Sequence, residues 1–203
     1  MITLYGSSKS RAARSLVALE ELGLDYWHSP LNPRAHADHR ATLDAINPNS
    51  HVPVLDDDGL IVWESMAINL YLAEKAGGPL WPTHPADRAA TYQWSFWSQT
   101  EVDRADWNRA RRGGDEALIA SDRQGLIAAL AILDRALEGR NWLLGEAFTI
   151  VDVNVATTLS QPNENGLIGW QRLDAAAEGL SALAAWLARC IARPSYAAVR
   201  DMS

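Results

Sequence analysis

Hydrophobic and polar positions follow two different periods in the first third of the chain. Short apolar runs bounded by turn residues are typical of strands, and apolar residues three and four apart are typical of helices. The predicted strands cover residues 3–5, 52–55 and 60–63, and a further strand is expected where the chain leaves the first helix after Gly23. The predicted helices cover residues 10–24, 40–46 and 65–75. With an Asp58-Gly59 turn between the last two strands, this mixture predicts a small α/β unit.

Glycine and proline interrupt the pattern at residues 77–85 and predict a linker. Beyond it the apolar spacing is helical, which predicts an all-helical second domain. The predicted helices there cover residues 89–111, the leucine stripe of 126–137, residues 180–192 and a terminal turn after 194. Thr149 and Asp152 have the spacing of a capping box at the start of another helix. We therefore expect domains at 1–77 and 86–203, joined by residues 78–85.

Composition narrows the class of protein. The chain has 203 residues, a net charge of -7 and 48% hydrophobic residues, which is typical of a soluble globular protein. Its basic residues are interspersed with acids, so we expect no nucleic-acid partner. No apolar run approaches ~18 residues, so we expect no membrane span. Cys190 is the only cysteine, which excludes an intrachain disulfide, and the start of the chain lacks the pattern of a signal peptide. We expect a cytoplasmic protein.

The segment from Asn47 to Leu55, followed by Glu64-Ser65, has the features of a site for a peptide ligand. Val52-Pro53 is an X-Pro bond, where a cis peptide costs little, and the proline removes one backbone donor. Val52 could then turn its own N–H and C=O toward a ligand backbone. Ser65 stands where the N-cap of the next helix is expected, and a helix start attracts a carboxylate.

Four ordered segments carry a resemblance to a known family. They are the first strand and loop (LYGSSKS), the Asn-Pro segment with Val-Pro-Val-Leu, the Glu-Ser pair with MAINLYLAEK, and the late FTIVDV box. The chain resembles a cytosolic glutathione S-transferase of the bacterial, theta-like serine type. The resemblance implies an α/β plus all-α fold, with a thioredoxin-like N-terminal domain and an all-helical C-terminal domain lining the electrophile pocket. It also implies glutathione as co-substrate, no metal, and a homodimer.

The resemblance assigns glutathione-binding roles to five residues of this chain. Val52 would pair its backbone with the cysteinyl part of glutathione, presented by Pro53 as a cis proline. Glu64 and Ser65 would bind the γ-glutamyl end. His51 stands where the family often has a basic residue for the glycyl carboxylate, and an exposed loop histidine is an equal alternative.

The thiol-activating residue is expected in the first loop. Ser10 aligns best with the serine of theta-like members, and Ser7 and Ser8 are alternatives. A serine hydroxyl there would donate a hydrogen bond to the glutathione sulfur and favour thiolate, helped by the helix that follows. Ser10 could equally be the N-cap of that helix.

The resemblance implies a detoxifying transferase, whose second substrate is expected to be a small, mostly apolar electrophile. Trp107 is a candidate for its pocket, and Asp103 resembles an acid that reaches across the dimer to the partner's glutathione. A core tryptophan and a solvated acid are the plainer alternatives. Two other functions stay open: a non-catalytic binding or regulatory protein of this fold, and a glutathione-dependent isomerase or dehalogenase.

Overall fold

The computed structural model describes residues 1–32, 34, 36–103, 116–168 and 172–202. Contacts divide the chain into two compact units, Met1–Trp81 with Pro194–Ser203, and Pro82–Arg193. We predicted from the sequence that residues 194–203 belong to the second domain, whereas contacts in the structure group them with the first unit. The reason is tertiary, because helix Pro194–Asp201 packs against helix Ala12–Leu22.

The first unit contains a four-stranded mixed sheet. Its strands are β1 (Ile2–Tyr5), β2 (Tyr26–Ser29), β3 (Val54–Asp57) and β4 (Leu60–Trp63). Their order is β2-β1-β3-β4, with β1 and β2 parallel and the other pairs antiparallel. Asp58 and Gly59 form the predicted tight turn with φ values of 51° and 93°, as a two-residue hairpin loop requires.

Helices cover both faces of this sheet. They are α1 (Ala12–Leu22), α2 (Ala37–Ile46) and α3 (Ser65–Ala76), with the terminal helix Pro194–Asp201, called α8 below. On one face, Leu43 of α2 packs with Leu31 and Val54. Side chains alternate along a strand, so fully buried Leu4 and Leu55 point to the opposite face, where α1 and α3 lie. The unit has the predicted thioredoxin-like arrangement.

The second unit is helical in the part that the structure describes, apart from two isolated bridges. Its elements are α4 (Pro85–Trp97), a π-helical segment (Ser98–Asp103), α5 (Glu116–Leu137), α6 (Ile150–Leu159) and α7 (Ser181–Ile191). Every residue of α6 is buried, so this helix forms the centre of the unit. The helix predicted over residues 89–111 is therefore α4 with the π-helical segment as far as Asp103; its remainder lies outside the described residues.

The buried carboxylate of Asp152 connects three elements of the second unit. It accepts hydrogen bonds from the backbone N–H of Leu143 at 2.9 Å and of Thr149 at 3.0 Å, and from the indole Nε1 of Trp186 at 2.9 Å. Burial raises the pKa of the Asp152 carboxyl, and these hydrogen bonds oppose that rise. The predicted capping box of Thr149 and Asp152 is confirmed.

Replacing Asp152 tests how much this network stabilises the unit. Asp152→Ala leaves three buried N–H donors without their acceptor, and each such loss costs about 1–3 kcal/mol. We expect the free energy of unfolding, measured by urea titration and circular dichroism, to fall by at least about 3 kcal/mol. Glu138→Ala, at an exposed acid, is the control. A loss no larger than the control's would show that the network is not stabilising.

Candidate functional site

The peptide bond between Val52 and Pro53 is cis, as expected. Strand β3 begins at Val54 and not at residue 52, which corrects the predicted strand. Pro53 has no N–H to donate to the sheet, so the hydrogen-bonded ladder starts at the residue after it, Val54. In the described part of the chain, no hydrogen bond engages the backbone N–H or C=O of Val52. Both groups can therefore pair with an extended ligand.

Asn47 organises the loop that leads to Val52. This side chain is 2% exposed; its Nδ2 donates to the His51 carbonyl at 2.8 Å, and its Oδ1 accepts the Asn49 N–H at 3.0 Å. Ser50 adopts φ 54°, a left-handed conformation that favours glycine. His51 is exposed beside Val52. This role of Asn47 was not predicted from the sequence, although an Asn-Pro step is a known turn signal.

The start of α3 carries Glu64 and Ser65. Glu64 is the N-cap, with φ 75° and ψ 117°, and Ser65 is the first helical residue. The prediction that Ser65 is the N-cap was wrong by one position. Glu64 takes a positive φ, which no local sequence pattern predicts. The Glu64 side chain makes no cap hydrogen bond, and the first helical hydrogen bond runs from Ile68 N–H to the Glu64 carbonyl at 2.9 Å. The earlier N–H groups of this first turn can bind an anion.

Gly6 brings the first loop next to Val52. Its φ is 134°, and a Cβ at this position would lie 2.6 Å from the Cβ of Ala12 and 2.9 Å from the Cβ of Val52. Distances under 3.0 Å are not found for real side chains, so only glycine allows this approach. The Gly6 N–H donates to the Ser29 carbonyl at 2.8 Å, which fixes the loop to the end of β2. This role of Gly6 was not predicted from the sequence, although a glycine directly after a strand is a signal for it.

Ser10 lies just before α1, whose N-cap is Arg11 and whose first residue is Ala12. The Ser10 hydroxyl donates to the Ser7 carbonyl at 2.6 Å and accepts the Ala12 N–H at 3.1 Å. Ser10 thus supports the start of α1 without being its N-cap.

The other two serines of the loop have different hydrogen bonds. The Ser8 hydroxyl donates to the backbone carbonyl of Met202. The Ser7 hydroxyl accepts the Lys9 N–H at 3.2 Å, and among the described residues it donates to none. A serine has one hydroxyl proton, so Ser7 is the serine of this loop whose proton no described residue accepts.

The sequence also suggested Asp103 for a contact across the dimer and Trp107 for the second-substrate pocket. Asp103 is the last residue of the π-helical segment and is half-buried. Trp107 lies outside the described residues. Their roles stay predictions.

Two features are absent from the residues that the structure describes. Among the described residues, no group of three or more His, Cys, Asp or Glu side chains could bind a metal ion. In the same part of the chain, no helix is both long and apolar enough to cross a membrane.

The first unit has a thioredoxin-like sheet order, a cis proline beside an unpaired backbone, and an uncapped helix start. A helical unit follows it. Comparison with known proteins agrees: the model for the glutathione S-transferase N-terminal domain matches residues 1–74, and that for the C-terminal domain matches residues 116–189. Glutathione S-transferase GstB of Escherichia coli (strain K12) is 35% identical over 172 residues, covering 77% of this chain and 80% of that protein.

Solved structures show the same fold. A theta class glutathione S-transferase from Xanthomonas axonopodis pv. citri, with glutathione bound, is 28% identical with a TM-score of 0.82, covering 100% of this chain and 98% of that one. Beta-etherase LigF from Sphingobium sp. strain SYK-6 has a TM-score of 0.82 at 22% identity, covering 100% and 99%, which is a likeness of fold alone. The chain belongs to the cytosolic glutathione S-transferase family. The predictions of family, fold, transferase class and glutathione as co-substrate are confirmed.

Replacing Gly6 tests the close approach of the first loop to Val52. Gly6→Ala would force the new Cβ against Ala12 and Val52, and such overpacking costs about 1–3 kcal/mol. Gly23→Ala is the control, because Gly23 also has a positive φ but no atom within 4 Å of an added Cβ. We expect Gly6→Ala to lower the free energy of unfolding more than the control does and to weaken glutathione binding. Equal effects of the two substitutions would contradict the close approach.

Proposed function

We propose that this chain binds glutathione along Val52 and the start of α3, and activates its thiol in the Gly6–Ser10 loop for attack on an electrophilic, mostly apolar small molecule. The observation that carries the proposal is the unpaired backbone of Val52, beside cis Pro53 and packed against Gly6. This places a ligand-pairing edge next to a loop rich in hydroxyl donors. A scaffold with no ligand has no physical need for such an edge.

Glutathione is a tripeptide with a carboxylate near each end, and the site offers a complementary group for each part. The cysteinyl residue pairs with the N–H and C=O of Val52. The γ-glutamyl carboxylate lies at the start of α3, on the N–H groups of the first turn and the Ser65 hydroxyl, with Glu64 near the ammonium. The exposed His51 is our candidate for the glycyl carboxylate.

The donor to the sulfur is a serine of the first loop. Ser10, the residue expected from the sequence, has to turn its hydroxyl away from the Ser7 carbonyl before it can donate to a thiolate. Ser7 has no such bond to break among the described residues, so hydrogen bonding favours Ser7 over Ser10. Ser8 is the weakest candidate, because its proton is donated to Met202.

A serine hydroxyl and the start of α1 can supply the free energy needed to lower the pKa of the glutathione thiol. Lowering a thiol pKa from about 8.5 by two units requires about 2.7 kcal/mol. A hydrogen bond to a charged group contributes about 1.5–3 kcal/mol, and the nearby start of α1 contributes about 0.3–1 kcal/mol more. The two contributions together span about 1.8–4 kcal/mol, a range that includes the required 2.7 kcal/mol.

The reaction then needs only alignment with the electrophile. The thiol proton passes to solvent, and a sulfur lone pair forms a bond to the electrophilic carbon. A displaced group leaves with its bonding electron pair, or an activated double bond takes up the electrons. A role in detoxification and the formation of a homodimer are expected from the family, and both are part of this proposal.

Substitution of the two favoured serines identifies the donor. If Ser7 donates to the sulfur, Ser7→Ala raises the pKa of the bound thiol by about one to two units, while Ser10→Ala raises it less. The measurement is the ultraviolet absorbance of bound thiolate against pH, with turnover of a chloronitrobenzene in the same samples. Ser7→Thr keeps a hydroxyl and is the matched control. The opposite ranking would assign the role to Ser10, and binding without thiolate in the unsubstituted protein would favour a non-catalytic binding protein.

Ser65 tests the carboxylate site at the start of α3. Ser65→Ala removes one hydrogen bond to a charged group, so we expect the dissociation constant of glutathione, measured by calorimetry, to rise about tenfold or more. Glutathione amidated at its γ-glutamyl carboxylate is the matched ligand, because it should bind both proteins with nearly equal affinity. If the substitution weakens both ligands equally, the carboxylate does not lie at this helix start.

A further inference from the structure

We propose that the hydrogen bond from Ser8 to the Met202 carbonyl, called the clasp below, fixes the thiol-activating loop and thereby sets the pKa of the bound thiol. This inference rests on the function proposed above. It makes Ser8 a positioning residue and gives the Met202 carbonyl a role in the chemistry.

The clasp joins residues that are 194 positions apart in the sequence. Both belong to the first compact unit, which includes residues 194–203. The two matched family ranges end at residues 74 and 189, so α8 and Met202 lie outside both. The acceptor of the clasp therefore lies beyond the ranges that the family models match.

The terminal segment is firmly attached to α1, so the Met202 carbonyl is a fixed acceptor. The Ser195 hydroxyl donates to Glu21 Oε1 at 2.5 Å. Tyr196 is 2% exposed and Val199 is fully buried. A segment with these contacts cannot move without exposing apolar surface.

Met202 itself has two further contacts. Its N–H donates to the Val199 carbonyl at 3.2 Å, which continues the last turn of α8. Its Sδ lies 3.9 Å from the hydroxyl of Tyr26, and that hydroxyl donates to Glu20 at 2.7 Å. Side chain and backbone of Met202 thus contact different groups, so substitution can separate their effects.

The clasp acts on the middle of the loop. Gly6 is fixed by its close contacts with Ala12 and Val52, and Ser10 is fixed by its bond to the Ala12 N–H. Ser8 lies between these two points, directly after Ser7. Without the clasp, the Ser7 hydroxyl would sample more positions and its hydrogen bond to a thiolate would weaken. The groups that bind the glutathione backbone, at Val52 and Ser65, would stay in place.

The test uses the full chain with two disruptive variants and two matched controls. Ser8→Ala removes the donor, and a chain ending at Asp201 removes the acceptor. Ser8→Thr retains a hydroxyl donor, and Met202→Ala retains the carbonyl while it removes the sulfur. Two properties are measured for each protein: the pKa of bound glutathione thiol, and hydrogen exchange of residues 6–10 without any ligand.

We expect both disruptive variants to raise the thiol pKa by at least about half a unit, which is a threefold loss of thiolate below that pKa. Hydrogen exchange of the loop should increase, and the dissociation constant of glutathione should change less than twofold. The two controls should behave as the unsubstituted protein does. An unchanged thiol pKa in both disruptive variants would overturn the inference, and so would an equal effect of Met202→Ala, which would assign the role to the sulfur.

Failure of the proposed function has a different signature. Hydrogen exchange needs no glutathione, so it reports on the clasp alone. If the unsubstituted protein binds no glutathione while exchange increases in the disruptive variants, the clasp stands as a structural contact, and both its effect on thiol chemistry and the proposed function are refuted. If the unsubstituted protein forms thiolate but exchange and pKa are equal in all variants, the proposed function stands and the clasp is refuted.

Discussion

The close approach of Gly6 to Val52 is the contact on which the candidate site depends. An added Cβ at Gly6 would lie 2.9 Å from the Val52 side chain, so the first loop reaches the cis Val52-Pro53 segment only because Gly6 has no side chain. The approach puts hydroxyl donors next to a backbone that has no partner among the described residues. Neither the loop nor the strand end would form the candidate site alone; their close approach brings the two parts together.

The start of α3 adds the anion-binding part of the candidate site. Glu64 has a positive φ, its side chain is exposed, and it makes no cap hydrogen bond to the first turn. A non-glycine residue in this conformation costs about 1–3 kcal/mol and persists only where the surrounding structure requires it. Such positions are concentrated at ligand sites, and here the uncapped N–H groups are suited to a carboxylate. The groups that we propose for peptide pairing, anion binding and hydroxyl donation therefore all lie in the first unit.

Local patterns allowed much of the fold to be predicted from the sequence. The leucines at 126, 130, 133 and 137 are all buried, Gly23 ends α1 in the left-handed conformation, and Asp58-Gly59 makes its turn, since each depends on neighbours in the chain. The errors had different causes. Strand β3 starts after Pro53 because this residue has no N–H for the sheet, and Glu64 rather than Ser65 caps α3. Helix α8 packs against α1, which is a contact between distant parts of the chain that no local pattern predicts. The bond between Ser8 and Met202 has no local signal at all, because 194 positions separate its partners.

A crystal structure of the protein with glutathione would test the central claim most directly. Our account predicts the cysteinyl backbone paired with the N–H and C=O of Val52, the γ-glutamyl carboxylate at the start of α3, and the sulfur within about 3.5 Å of a serine hydroxyl of the first loop. Glutathione bound elsewhere, or a sulfur that faces no hydroxyl of this loop, would contradict it.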